Sequence, residues 1–127
     1  MMHMPFSIAY RGQIVWMGMT LIAPGVVKSV EVWPSPENTV DVDVLRLAKN
    51  ACVHVSDALG LGLPLSDQCA AFLDVQAAAR LAGRELSEGD WFTLDFIIGL
   101  LRKQTRISQA LKESFELVGR AAGRAGA

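Results

Sequence analysis

The run QIVWMGMTLI, residues 13–22, decides the fold. It holds no charge, and large apolar residues fall at both odd and even positions. In a strand, successive side chains point to opposite faces. Val15, Met17, Met19 and Leu21 then share one side, and Ile14, Trp16, Gly18, Thr20 and Ile22 share the other. A strand that is apolar on both sides is expected in the middle of a sheet covered on both faces.

Its neighbours in sequence fit that place. PFSIAY (5–10) puts Phe6, Ile8 and Tyr10 on one face, and YRGQ (10–13) supplies a glycine where a tight turn needs positive φ. APGVV (23–27) sets Pro24 and Gly25 at the centre of a type II turn. VVKSVEVW (26–33) carries Lys28 and Glu31, which suits an edge strand. The expectation is a three-stranded antiparallel meander over 5–33, ended by PSPEN (34–38).

From there the apolar period becomes helical. Val44, Leu47, Ala51, Val55 and Leu59 recur at helix spacing, with Asp41 and Asp43 at the positive end of the dipole and Gly60 as the stop. The stretches PLSDQCAAFLD (64–74) and ELSEGDWFTLD (85–95) open alike, each with a Leu-Ser pair, an acid, and a later Leu-Asp. In the second, Ser87 and Asp90 have the spacing of a capping box, with Leu86 and Trp91 placed as a hydrophobic staple. Two helices that obey one capping rule explain the likeness more simply than a duplication does. Residues 88–120 then read as one long helix, or as two with a bend near Thr105–Ser108.

Within that last segment Asp95 is the single charge in the middle of DWFTLDFIIGLLRK (90–103). On a wheel of about 100° per residue with Arg102 at the origin, Asp95 falls near about 20°, Arg106 near about 40° and Gly99 near about 60°. Glu88, Glu113 and Arg120 fall in the same sector, whereas Leu100, Ile107, Leu111 and Val118 lie between about 140° and 180°. Asp95 therefore belongs to a polar stripe, within reach of Arg102, rather than to a buried acid site.

The fold expected is thus α+β. It is a single domain, with a sheet over 5–33, a helical part of three or four helices over 39–120, the last long and amphipathic, and a frayed tail over 121–127.

Charge is unevenly spread. The chain has a net charge of −1, but residues 31–101 hold eleven acids against Arg46, Lys49, Arg80 and Arg84, while residues 102–127 hold six bases against Glu113 and Glu116. An acidic middle and a basic end can attract one another, between copies or within one. Arg102, Lys103, Arg106 and Arg120 form a basic patch that would also suit nucleic acid. Against that, aromatic residues are scarce there, and RELSEGD (84–90), where a recognition helix would begin, is acidic and repels phosphate.

Chemistry is sparsely signalled. Cys52 and Cys69 lack metal spacing and read as reduced thiols of a cytoplasmic protein. His3 and His54 are the two histidines, with no partner implied by sequence. GLGLP (60–64) is not a phosphate loop, and no nucleophile elbow, zincin motif or calcium loop occurs. The uncharged run Gly12–Val27 is short for a membrane span and is broken by Pro24-Gly25. No cofactor, metal or membrane is expected, and enzymatic activity is not favoured.

Three readings of function follow. The leading one is a small assembly or adaptor protein, a homodimer or a partner of another protein, with Val15, Met17, Met19 and Leu21 as the interaction side of the strand. The second is a binding domain for a small apolar ligand, its pocket lined by Trp16, Met17 and Met19. The third is a DNA-binding regulator that uses the basic C-terminal helix.

Overall fold

The computed structural model describes residues 2–23, 25–34 and 38–125, with side chains through Arg106 and at Gln109. Three strands, β1 (Met2–Tyr10), β2 (Gln13–Ala23) and β3 (Val26–Val32), precede three helices, α1 (Val42–Gly60), α2 (Leu65–Leu81) and α3 (Glu88–Ala125). The strands form one antiparallel sheet in the order β1-β2-β3. The α+β class and the meander are those the sequence predicts. The sheet starts earlier than Pro5, because Met2, His3 and Met4 pair with Leu21, Thr20 and Met19.

Turn chemistry explains the meander. Arg11 and Gly12 have φ of 51° and 73°, so both central residues of the β1–β2 turn are left-handed, as a type I′ hairpin requires. Gly25 has φ 74°, which fits the third position of a type II turn. Pro24, the other central residue of that predicted turn, lies outside the described residues.

One face of the sheet carries the core. Val15, Met17, Met19 and Leu21 are each 2% exposed or less, flanked by Phe6 on β1 and Val27 and Val30 on β3. Helices α1 and α3 lie over this face. The buried stripe of α1 is Val44, Ala48, Ala51, Cys52 and Val55, wider than the sequence spacing suggests. Ala48 and Ala51 have no side chain beyond Cβ, so the helix approaches the strands closely. On α3 the buried side chains are Phe92, Thr93, Leu94, Phe96, Ile97 and Leu100. Phe96 stacks against Phe6 at 6.4 Å, and Phe92 meets Tyr10 edge-on at 4.9 Å.

Polar side chains fix how the layers meet. The first turn of α3 is held by the β1–β2 hairpin: Tyr10 Oη donates to Glu88 Oε1 at 2.7 Å, and Arg11 pairs with the same carboxylate. Ser56 on α1 accepts from Val30 N and donates to Val30 O, both at 3.0 Å, and so closes the outer edge of β3. Asn38 accepts from Trp16 N at 2.7 Å and donates to Trp16 O at 3.0 Å, continuing the ladder where β3 ends. Gln13 and Asp41 exchange two bonds in the same manner, at 2.9 Å and 2.7 Å. Asp41 therefore stands at the N-cap of α1 with its carboxylate turned to Gln13 and no side-chain cap bond.

Three sequence expectations change. β2 is central but covered on one side only. Gly60 is the last residue of α1 rather than its left-handed stop; the positive φ, 84°, falls at Gly62. The shared capping rule also fails for α2, whose N-cap is Pro64, with Ser66 inside the first turn and no side-chain cap. Proline presets its own φ, and its carbonyl takes the amides of Asp67 and Gln68 at 3.0 Å and 3.1 Å. In α3 the N-cap bond of the predicted capping box is present: Asp90 N donates to Ser87 Oγ at 3.2 Å. No bend near Thr105–Ser108 divides α3, which is helical from Glu88 to Ala125. The predicted frayed tail begins inside this helix, and residues 126–127 lie outside the described ones.

Removing the acceptor at the start of α3 has a defined cost. Ser87→Ala should lower stability by about 1 kcal/mol, the usual loss for an N-cap. Urea midpoints compared with wild type measure it, and an unchanged midpoint would show that the bond does not stabilise the native helix.

Candidate functional site

The residues that sequence alone assigns to an interaction side, Val15, Met17, Met19 and Leu21, sit under α1 and α3. They are the centre of the core, so the chain's own helices occupy that side. The opposite side is the one left in solvent. There Ile14 and Ile22 are each 57% exposed and Trp16 is 41% exposed. Trp16 stacks on Trp33 at 6.2 Å with an interplanar angle of 18°, and both rings lie on this open face.

Gly18 explains the placement of Trp33. A Cβ built on Gly18 would stand 2.8 Å from Trp33 Nε1, so only glycine lets the indole lie flat across β2. Next to it, His3 Nδ1 and Thr20 Oγ1 are 3.1 Å apart. A shallow hollow of about 170 Å³ opens here between His3, Pro5, Gly18, Thr20, Glu31 and Trp33. The pocket expected between sheet and helices is not at Met17 and Met19, which are packed. Sequence parity does separate the two sides of β2, but it carries no signal for which side the helices take.

A second apolar surface is formed by helices. Leu61, Leu63 and Val75 border a groove of about 550 Å³ between α1 and α2, with His54 and Phe72 in edge-on contact at 5.4 Å in its wall. Sequence reading missed this groove, because the helical spacing of α2 is weak and its apolar residues point in many directions.

Asp95 is exposed, and so are Arg102 and Arg106. The stripe thus faces solvent as far as Arg106, while the predicted members Glu113 and Arg120 lie outside the described side chains. Among the described residues neither Asp95 nor Arg102 makes an ion pair. The Nζ of Lys103 lies 5.6 Å from the centre of the Phe6 ring, a cation–π contact.

Reactive groups do not converge. No cluster of three or more His, Cys, Asp or Glu able to hold a metal occurs among the described residues. Among the described residues no helix is long and apolar enough to cross a membrane. Cys52 is buried, with its Sγ 3.9 Å from Met17 Sδ. Burial first, and the negative charge of Glu31 second, push its thiol up to about 12. The unfolded chain loses that proton near the ordinary value of 9.0, whereas the folded chain holds it to about 12. The linked stability is therefore complete below pH 9.0 and lost as pH rises from there toward about 12.

Two outcomes follow. At neutral pH a disulfide reagent should titrate Cys69 rapidly and Cys52 only after denaturant is added; equal rates at both thiols would contradict the burial. Asp95→Asn and Arg102→Gln should each cost well under about 1 kcal/mol and add in the double variant. A double-mutant cycle that returned several kcal/mol of coupling would instead indicate a buried pair.

The chain matches no known protein family, no curated protein and no solved structure.

Proposed function

We propose that the protein is a small assembly module that pairs with a second copy of itself through the open face of its sheet. The observation that carries this reading is the bare side of β2, where Ile14, Trp16 and Ile22 stand in solvent with no layer above them. Exposed large apolar side chains gathered on one sheet face favour an association surface.

The edges of the sheet favour pairing by face rather than by strand addition. The edge of β3 is occupied by Ser56. On the other edge, Trp16 directs its backbone groups toward Asn38 and Trp33, so its partner Ser7 directs its own outward. By alternation Pro5, opposite Gly18, also faces outward, and proline has no N–H to offer there. A free edge interrupted by proline resists strand addition. The open face has no such block, and the absence of a side chain at Gly18 lets the Trp33 indole lie close over β2.

Size argues for a second copy of modest affinity. Three strands about 4.8 Å apart, with about 3.3 Å of rise per residue, present roughly 500 Å² of face. Two such faces give a total of about 1,000 Å², just below the roughly 1,200 Å² at which stable specific interfaces begin, which is the range of weak, transient pairing. Two sheets packed about 10 Å apart would bury both tryptophan stacks, and one twofold axis closes the assembly.

The reading predicts an average mass that rises from monomer to dimer with concentration in multi-angle light scattering. Ile14→Lys and Ile22→Lys, both at exposed positions, should fold as wild type and pair at least about tenfold more weakly, so that the rise in mass moves to higher concentration. Met17→Lys should unfold, because it places an unpaired charge in the core. A wild type that remains monomeric at millimolar concentration overturns the proposal.

A further inference from the structure

Helix α2 is unusual for a surface helix. It spans Leu65–Leu81, yet Leu65 and Gln68 are its buried residues. Leu73, Val75 and Leu81 are 47%, 51% and 91% exposed, and its charged residues are Asp67, Asp74 and Arg80. A helix apolar on most sides is normally covered on most sides. Here α1 and α3 cover one.

The groove between α1 and α2 is lined by side chains of both helices and of the loop between them. Gln68, 4% exposed, lines it. Its Nε2 donates to Leu63 O at 3.0 Å and points toward Val55 O at 3.5 Å, which fixes the orientation of the amide. Its Oε1 is left buried with no donor. Buried acceptors almost always have partners, and this one, itself closed off from solvent, is an exception among the described residues. The rim carries Asp57 and Asp67, both exposed. An occupant that matches this groove is apolar along its middle and basic at its flanks.

The chain itself contains such a segment. Residues 102–127 hold six bases against two acids, and Ile107, Leu111 and Val118 share one side by helical spacing. The groove is lined from His54 to Leu63 and from Asp67 to Val75, about two to three helical turns, which a stretch of the length 107–118 matches. The same molecule does not supply it, because α3 continues as one helix from Glu88 to Ala125 and does not turn back onto α1.

We propose that the groove between α1 and α2 receives the basic C-terminal part of α3, residues 102–125, from a second copy of the chain. The contact is a helix laid into a groove, with apolar anchors inside and charge pairs at the rim. Two copies that exchange these segments reciprocally close a twofold dimer. This contact is independent of the sheet face and extends the assembly reading to a second surface.

The test uses a fluorescently labelled synthetic peptide of residues 102–125, titrated with the full chain and followed by anisotropy. The full chain carries Ile14→Lys, so that sheet-face pairing does not intervene. Saturable binding is expected, weakened at least about tenfold by Val75→Glu, whose side chain is exposed and outside the core. Asp57→Asn with Asp67→Asn should weaken it several-fold at low salt and remove most of its salt dependence. A sequence-scrambled peptide of the same charge should bind at least about tenfold more weakly. The inference is overturned if the peptide does not saturate, if binding survives Val75→Glu, or if the scrambled peptide binds equally well. Self-association of the full chain weakened by Val75→Glu but not by Ile14→Lys supports the groove alone, and the reverse pattern supports the sheet face alone, so the two readings fail separately.

Discussion

A three-stranded sheet has two faces, and this chain has one layer of helices to place on them. That imbalance governs the structure. The helices take the side of β2 that presents Val15, Met17, Met19 and Leu21, and the other side keeps Ile14, Trp16 and Ile22 in water. The buried side is well sealed: small residues on α1 let it lie close, and the aromatic rings of α3 fill the distance to β1. The exposed side is more polar: beside Ile14, Trp16 and Ile22 it carries His3, Ser7, Thr20, Ser29 and Glu31.

Directional bonds turn this packing into one arrangement. Hydrophobic burial alone would tolerate α1 sliding along the sheet, because it is non-directional. The two bonds between Ser56 and Val30 set its height on β3. The two between Gln13 and Asp41 set where it begins, and Asn38 holds the link between them. Glu88 performs the same task for α3 through Tyr10 and Arg11. Each of these side chains also satisfies a backbone or charged group of a neighbouring element, so positioning and polar satisfaction are met by the same bonds.

The surfaces left over are of two kinds. The open sheet face is flat, aromatic and bounded by an edge that proline interrupts, which suits a like surface. The α1–α2 groove is concave, apolar and rimmed by acids, which suits a basic amphipathic helix. Chemistry of bond making is not suggested by either. The one strongly perturbed thiol, Cys52, is perturbed toward inertness by its burial.

Much of the fold was legible in residues 13–22 and their flanks. A charge-free run between a glycine turn and a proline-glycine turn can hardly be other than a central strand, and local backbone restrictions made both turns readable. The cap at Ser87 and the exposed stripe through Asp95 were equally local, since a helix wheel needs no knowledge of neighbours. What sequence could not decide was which side of β2 the helices would cover, because both sides are apolar and the choice depends on where the link after β3 delivers α1. The same holds for Pro64 displacing Ser66 as a cap, and for the left-handed residue moving from Gly60 to Gly62. The groove was illegible for a related reason: it belongs to the angle between two helices, and Gln68 becomes an acceptor without a donor only once Leu63 has claimed its amide nitrogen. Local periodicity determined the elements. Tertiary packing determined which apolar surfaces were used up and which remained.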